Sequence, residues 1–184
     1  MGINTDINYR YSGGAAGVAV GSLGGSISAN EIVSSQDENL FRDIDDPSTA
    51  KTQYYCIYLI NKGTETYNDI GLYISTSTPS IDTQVFVGLG TSPVNGTEQT
   101  VGDNVTEPTG VSWTQRYFDY NALTIASLAV NQYKAIWLKM LQDADASAVV
   151  LDYVRLTLVD AGAGGVPPGS VVEVFSDDFS VDFQ

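Results

Sequence analysis

Acidic side chains are the residues of this sequence best suited to chemistry, and they occur in three clusters. Two carboxylates can hydrolyse a glycosidic bond when they face each other across a cleft at about 5 to 10 Å, and hard oxygen ligands suit calcium. Closeness in sequence does not create such a pair, and no Asp-x-Asp-x-Asp-Gly calcium loop occurs. We therefore expect solvated turns, with no catalytic residue, no metal and no cofactor. The clusters are Asp43, Asp45 and Asp46; Asp143 and Asp145; and Asp177, Asp178 and Asp182.

A carboxylate hydrolase stays open as an alternative hypothesis. It requires two acids that face each other in a pocket, and its candidates are Asp43, Asp46, Asp119 and Asp152.

The sequence contains no histidine and one cysteine. The absence of histidine excludes Ser-His and Cys-His nucleophile pairs and the usual zinc sites. Cys56 lies inside the apolar run YYCIYLI, which predicts a small buried core residue rather than a reactive thiol. We predict that the protein is not an enzyme.

The charge balance restricts the partners. The 184 residues include 22 acidic and 8 basic side chains, for a formal net charge of −14. Such a field repels phosphate backbones, so we expect no direct binding of nucleic acid. No stretch approaches the roughly 18 to 20 apolar residues of a membrane span, and the start MGINTDINYRY lacks the pattern of a signal peptide. We expect synthesis in the cytoplasm and no membrane contact.

Period-two alternation dominates the middle of the chain. YYCIYLI is apolar on both faces, which predicts a central strand covered on both sides. IGLYIST, TQVFVGLG, VSWTQRYFDY and LTIASLAV are predicted as further strands, and NQYKAIWLKML and AVVLDYVRLTLVD as antiparallel neighbours. A short helix within LFRDIDDPSTA, ended by Pro47, is an open alternative. The pattern predicts an all-β fold, an antiparallel β-sandwich of jelly-roll or immunoglobulin-like type over residues 31–160.

The segment YSGGAAGVAVGSLGGSIS, residues 11–28, contains six glycines and no charge. It has no Lys-Ser/Thr after its glycines and no Gly-x-Gly-x-x-Gly spacing, which excludes phosphate binding. Two interpretations of the segment remain: a flexible linker, or an arm that pairs with a neighbouring subunit. We predict extended arms over residues 1–30 and over the acidic residues 161–184. The predicted interaction residues are Tyr11, Gly13, Gly14, Gly17, Gly21, Leu23, Gly24, Gly25 and Ile27.

The aromatic side chains in VSWTQRYFDY allow two interpretations. Trp113, Tyr117 and Tyr120 are a candidate ligand platform for a sugar, or they are the core and rim of a strand. Trp137, inside a long alternating strand, is predicted to lie in the core.

Three stretches carry a resemblance to a known family. They are YRYSGGAAGVAVGSLGGSISANEI; LFRDID with YYCIYLINKG and YNDIGLYISTSTPS; and NQYKAIWLKM with ASAVVLDYVRLTLV. In these places the sequence resembles small structural proteins encoded among the virion genes of tailed bacteriophages and prophages. The resemblance implies a virion component, and it brings no catalytic residues.

From this resemblance we expect a capsid decoration or accessory head protein held by extended arms. The expected partners are major capsid or tail proteins and copies of the chain itself, and the expected location is the virion. A neck, tail, baseplate or fibre accessory protein is one alternative, and a carbohydrate-binding module at the virion surface is another.

Overall fold

Antiparallel strands form nearly all the regular structure of this chain. The computed structural model describes residues 3–15, 17–18, 21–32, 49–76, 82–115, 122–144, 152–160 and 179–183. These ranges contain one helical turn, α1 (Ile3–Asp6), and eleven strands. The strands are β1 (Ile7–Ser12), β2 (Gly24–Gly25), β3 (Ile27–Glu31), β4 (Lys51–Asn61), β5 (Tyr67–Thr76), β6 (Thr83–Leu89), β7 (Glu98–Thr100), β8 (Leu123–Leu128), β9 (Tyr133–Gln142), β10 (Asp152–Asp160) and β11 (Phe179–Phe183).

The strands form two large sheets and one small sheet. The first large sheet has the order β3-β1-β4-β9-β6 and the second has the order β11-β10-β5-β8, while β2 and β7 form a separate pair. Every pairing is antiparallel. One buried core cluster contains side chains from both large sheets, so the sheets pack face to face around it. The predicted all-β antiparallel sandwich is confirmed.

Strand β4 lies in the middle of the five-stranded sheet and is buried on both faces, as predicted. Tyr55, Ile57 and Leu59 point inward and join the core between the sheets. Cys56 and Tyr58 point to the opposite face, which we call the outer face, and both are fully buried. This confirms the prediction for Cys56.

Strand β9 repeats this arrangement beside β4. Ile136 and Leu138 enter the inner core, whereas Ala135 and Trp137 lie on the outer face without solvent exposure. The prediction that Trp137 is a core residue is therefore confirmed. Period-two alternation assigned the faces correctly because successive side chains of a strand point to opposite sides.

Two chain segments cover the outer face. One consists of the described residues of 13–26, and the other runs over 90–113; together we call them the outer cover. They meet in the β2–β7 pair, where Gly24 is opposite Thr100 and Gly25 is opposite Glu98. The outer cover also hydrogen-bonds to the backbone of β4. The amide of Cys56 donates to the carbonyl of Ser22, and the amide of Tyr54 donates to the carbonyl of Asn104. These bonds continue the edge of β4 where β1 ends.

The prediction of a separate N-terminal arm over residues 1–30 is wrong. Strand β1 pairs with β4 from Ile7 opposite Asn61 to Tyr11 opposite Ile57, and β3 pairs with β1. Ile3, Ile7 and Tyr11 are buried in the inner core. A glycine-rich composition suits close backbone packing within one chain as well as between chains, and here the chain uses it internally.

The structure describes only part of the predicted C-terminal arm. Strand β11 pairs with β10 of the same chain, with Phe179 opposite Leu156 and Phe183 opposite Asp152. Residues 161–178 and residue 184 of the predicted acidic arm lie outside the described residues.

One prediction about strands is wrong, and a second fails over the residues that the structure describes. Strands β9 and β10 are not neighbours, because β9 pairs with β4 and β6 while β10 pairs with β5 and β11 in the other sheet. Residues 111–115 form no strand, and a backbone bridge joins Thr114 to Val87; residues 116–120 of the predicted strand lie outside the described residues. The helix considered in LFRDIDDPSTA falls mostly on residues outside the described ranges. In the described part of the chain, no helix has the length and apolarity needed to cross a membrane.

Deletion of Met1–Ile27 tests the role of β1. We expect the truncated chain to lose its cooperative fold, because β4 would lose a partner strand and several buried apolar side chains would leave the core. Each such side chain contributes about 1.5–3 kcal/mol, against a typical total stability of about 5–15 kcal/mol. Thermal unfolding followed by near-ultraviolet circular dichroism measures this. Deletion of Met1 and Gly2 alone is the control, and a sharp native-like transition in the long truncation contradicts the prediction.

Candidate functional site

Two clusters of polar and aromatic side chains lie on the outer face of the five-stranded sheet. The first surrounds Glu98 beneath the outer cover, and the second surrounds Lys139 where the cover ends. We describe each from its strands upward.

Glu98 is a buried carboxylate held by its own segment of the outer cover. It begins β7, and its side chain is only 2% exposed. The hydroxyl of Thr91 donates to its Oε1 at 2.9 Å, and the amide of Ser92 donates to its Oε2 at 2.9 Å. The turn over residues 91–97 thus closes on the first residue of the strand that follows it.

Tyr58 joins the sheet to both segments of the outer cover. Its hydroxyl donates to the carbonyl of Gly25 at 2.5 Å and accepts from the amide of Glu98 at 3.1 Å. Gly25 and Glu98 face each other in the β2–β7 pair. A single phenol therefore fixes this pair above β4.

Lys134 supplies a positive charge to the same cluster. Its ammonium donates to the carbonyl of Gly90 at 2.8 Å and to the carbonyl of Ser92. Lys134 thereby holds the start of the 90–113 segment against β9. We call Tyr58, Glu98 and Lys134 the clamp.

The pKa values of the clamp follow from burial and hydrogen bonding. Burial by itself raises the pKa of Glu98, but the hydrogen bonds from Ser92 and Thr91 outweigh it and lower the pKa to about 2. Burial lowers the pKa of Lys134, and the charge of Glu98 opposes that shift. Burial also raises the pKa of Tyr58. Glu98 is thus ionised at neutral pH, unlike a general acid, and its oxygens are occupied by donors from the protein.

Gly24 shows why the outer cover needs glycine. Its φ is +94°, and a β-carbon there would collide with the carbonyl oxygen of Gln99. The amide of Gly24 donates to the Ser12 hydroxyl at 3.0 Å. The backbone of β2 at Gly24 therefore lies too close to β7 for a side chain to fit, and it is also hydrogen-bonded to the end of β1.

The predicted interaction residues all belong to this internal packing or to the loop that carries it. Tyr11 lies in the inner core, and Leu23 and Ile27 pack against the outer cluster. The Gly14 amide bonds the Ser26 carbonyl, and the Gly17 carbonyl accepts from Ser28. The other glycines lie in the loop or in β2: Gly13, Gly21, Gly24 and Gly25.

The second cluster follows from strand register. Lys139 of β9 lies opposite Tyr54 of β4 and opposite Phe86 of β6. Its ammonium lies 5.8 Å from the ring centre of Tyr54, 5.6 Å from that of Phe86 and 5.8 Å from that of Trp113. Three rings thus surround one cation, an arrangement that electrostatic attraction to their faces stabilises. We call these four residues the aromatic cluster.

Trp113 reaches the aromatic cluster from the outer cover. Gly88 allows this, because a β-carbon there would press on Val111 and on the carbonyl of Ser112. The Trp113 ring lies 5.5 Å from the Tyr54 ring, and its Nε1–H donates to Glu107 at 2.7 Å. Burial, followed by the Glu107 charge, raises the pKa of Tyr54.

Trp113 is half-buried, so one member of the predicted ligand platform lies at the surface of the outer face. Tyr117 and Tyr120 lie outside the described residues. Phe86 and Lys139, which sequence reasoning missed, complete the cluster instead. Their alternation along β6 and β9 was visible, but the register that aligns them was not.

Few of the acidic residues in the predicted clusters lie within the described ranges. Asp143 is exposed, and the side chain of Asp182 is not described. Asp43, Asp45, Asp46, Asp119, Asp145, Asp177 and Asp178 lie outside the described ranges. Within those ranges, acidic and cysteine side chains form no group of three that could hold a metal ion.

Comparisons with known proteins give no family. No family model and no curated protein matches the chain. A solved structure of AvmM, described as catalysing macrocyclization in alchivemycin A biosynthesis, is similar over 62% of this chain and 68% of its own. Its TM-score is 0.32 and its sequence identity is 12%. This similarity is too low to bear on function.

Substitution Glu98→Gln tests the carboxylate of the clamp. Because the pKa is lowered from 4.5 to about 2, the ionised carboxylate stabilises the fold above about pH 5, and this stabilisation is lost as the pH falls towards 2. We expect the variant to be about 2–3 kcal/mol less stable at pH 7, with a difference that shrinks in acid. Urea unfolding between pH 2 and 7 measures it. The exposed carboxylate variant Glu65→Gln is the control, and a pH-independent difference contradicts the prediction.

Substitution Tyr58→Phe tests the phenol that joins the sheet to the outer cover. We expect a loss of about 1–2 kcal/mol, because a buried amide and a carbonyl lose their partner. Hydrogen exchange should accelerate at the Cys56 and Val101 amides, which bond to carbonyls of the cover. Tyr133→Phe, which removes an exposed hydroxyl bonded to Asn95, is the matched control. Equal exchange rates in the two variants would show that Tyr58 does not hold the cover.

Proposed function

We propose that this chain is a structural subunit of a tailed-phage virion, with capsid decoration or an accessory place in the head as its role. The resemblance of three sequence stretches to virion structural proteins suggests the setting. The observation that carries the structural role is the clamp: its phenol and ammonium hold one layer of the protein on another, and its carboxylate closes the turn of the covering segment.

The clamp supports a rigid building block. Its groups lie in a low-dielectric environment, where satisfied hydrogen bonds and charges hold a unique packing. Such a block can contact neighbours through preformed surfaces, which avoids the entropic cost of ordering an arm on binding. In an assembly of many copies, modest contacts become durable through multivalency.

The N-terminal segment is not the means of attachment in this proposal, since it completes the five-stranded sheet. Contacts with capsid proteins or with other copies would instead use the exposed surface of the folded unit. A neck or tail position is the alternative that the same features allow.

The proposal is tested on particles from a bacterial strain that encodes this chain. After induction and density-gradient purification, quantitative mass spectrometry should find the chain at a fixed ratio to the major capsid protein. Immunogold labelling should then mark the head, whereas label on the neck or tail would favour the alternative. An abundant chain in the lysate that is missing from purified particles would refute the virion role.

A further inference from the structure

We propose that the aromatic cluster and its polar neighbours form a binding site for a neutral carbohydrate. The site comprises Phe86, Trp113 and Lys139, with Glu107, Gln84 and Gln115 around them. This inference does not rest on the virion role, because the site is defined by its own geometry.

The rings supply the apolar surface that a sugar needs. Tyr54 is buried and forms the floor, while Phe86 and Trp113 are half-buried. Sugar rings present C–H groups that pack on aromatic faces, and binding sites combine such surfaces with a few oriented polar groups. The half-exposed rings of Phe86 and Trp113 therefore offer a surface for packing against a sugar.

The polar groups around the rings can donate hydrogen bonds to sugar hydroxyls and accept hydrogen bonds from them. Within the described part of the chain, no hydrogen bond or ion pair engages the Lys139 ammonium, so no described residue takes up its N–H donors. Glu107 accepts from Trp113 and retains further acceptor capacity. The amides of Gln115 and Gln84 lie beside each other, with Nε2 to Oε1 at 3.3 Å. Donors and acceptors thus accompany the same aromatic surface.

Among the described residues, the side chains of the outer face become more exposed at this point. Residues opposite one another on β4, β9 and β6 form rows across the outer face. One row contains Cys56 and Trp137 under the cover. The next row contains Tyr54, Lys139 and Phe86, beneath Trp113. The next row, Thr52, Leu141 and Gln84, is half-buried or exposed. This row therefore adds solvent-exposed surface beside the rings.

Charge favours a neutral ligand over a charged one. The net charge of −14 repels anionic glycans. A cationic ligand would have to compete with Lys139, whose ammonium already lies over all three rings. A neutral sugar is neither repelled by the net charge nor opposed by the charge of Lys139, and it can use the lysine as a donor.

The test uses the full chain and four neutral probes: maltotriose, cellotriose, chitotriose and mannotriose. We expect at least one of them to give saturable binding by titration calorimetry, together with a change in tryptophan emission. Trp113→Ala should weaken this binding at least about tenfold, the change that corresponds to about 1.4 kcal/mol. Trp113→Phe, which keeps a ring, should retain most of it.

Controls separate the site from general effects. Val105→Ala alters an exposed residue of the same segment and should bind like the unchanged chain. Near-ultraviolet circular dichroism establishes that each variant is folded. The proposal is overturned if no neutral probe binds, if a folded Trp113→Ala variant binds normally, or if only an acidic oligosaccharide such as trigalacturonate binds.

Discussion

The structure depends on one constraint: β4 and β9 bury side chains on both faces, so the second face needs a cover, and the chain itself supplies it. The four-stranded sheet covers the inner face. On the outer face, Cys56, Tyr58 and Trp137 have no solvent exposure, and their burial requires a layer thin enough to lie directly on the sheet. Backbone with few side chains provides such a layer, which explains the glycine-rich stretch between β1 and β3.

Electrostatics holds that layer in place. Apolar contact alone is non-directional, whereas the clamp joins defined atoms of Gly25, Glu98, Gly90 and Ser92 to the sheet. The hydrogen bonds that hold Glu98 also keep it ionised, so the charge that stabilises the cover is present across the physiological pH range. Residues whose types suggest reactivity thereby act in packing, which agrees with a structural role for the chain.

The extent of the outer cover also determines where the sheet can meet other molecules. Above Trp137 the cover is complete, and the outer face is inaccessible. One row further, Trp113 extends over Lys139 among the described residues, and Phe86 beside it stays half-buried whereas Tyr54 is buried. The aromatic cluster and its surrounding polar groups therefore arise at the edge of the cover, on strands that the clamp and the two-sided packing hold rigid. A rigid support of this kind suits recognition, because little conformational freedom is lost on binding.

The sequence by itself determined which residues of β4, β5 and β9 share a face, because alternation along a strand is a local property. It also placed Cys56 and Trp137 in the interior. Only the tertiary structure decided which strands pair, so β9 and β10 belong to different sheets although they are consecutive. A glycine-rich composition predicts close backbone packing but does not show which segment packs against it. The N-terminal segment was therefore predicted to be an intermolecular arm. The clamp and the aromatic cluster depend on register between distant strands, such as Lys139 between Tyr54 and Phe86, and register is set by packing of the whole domain.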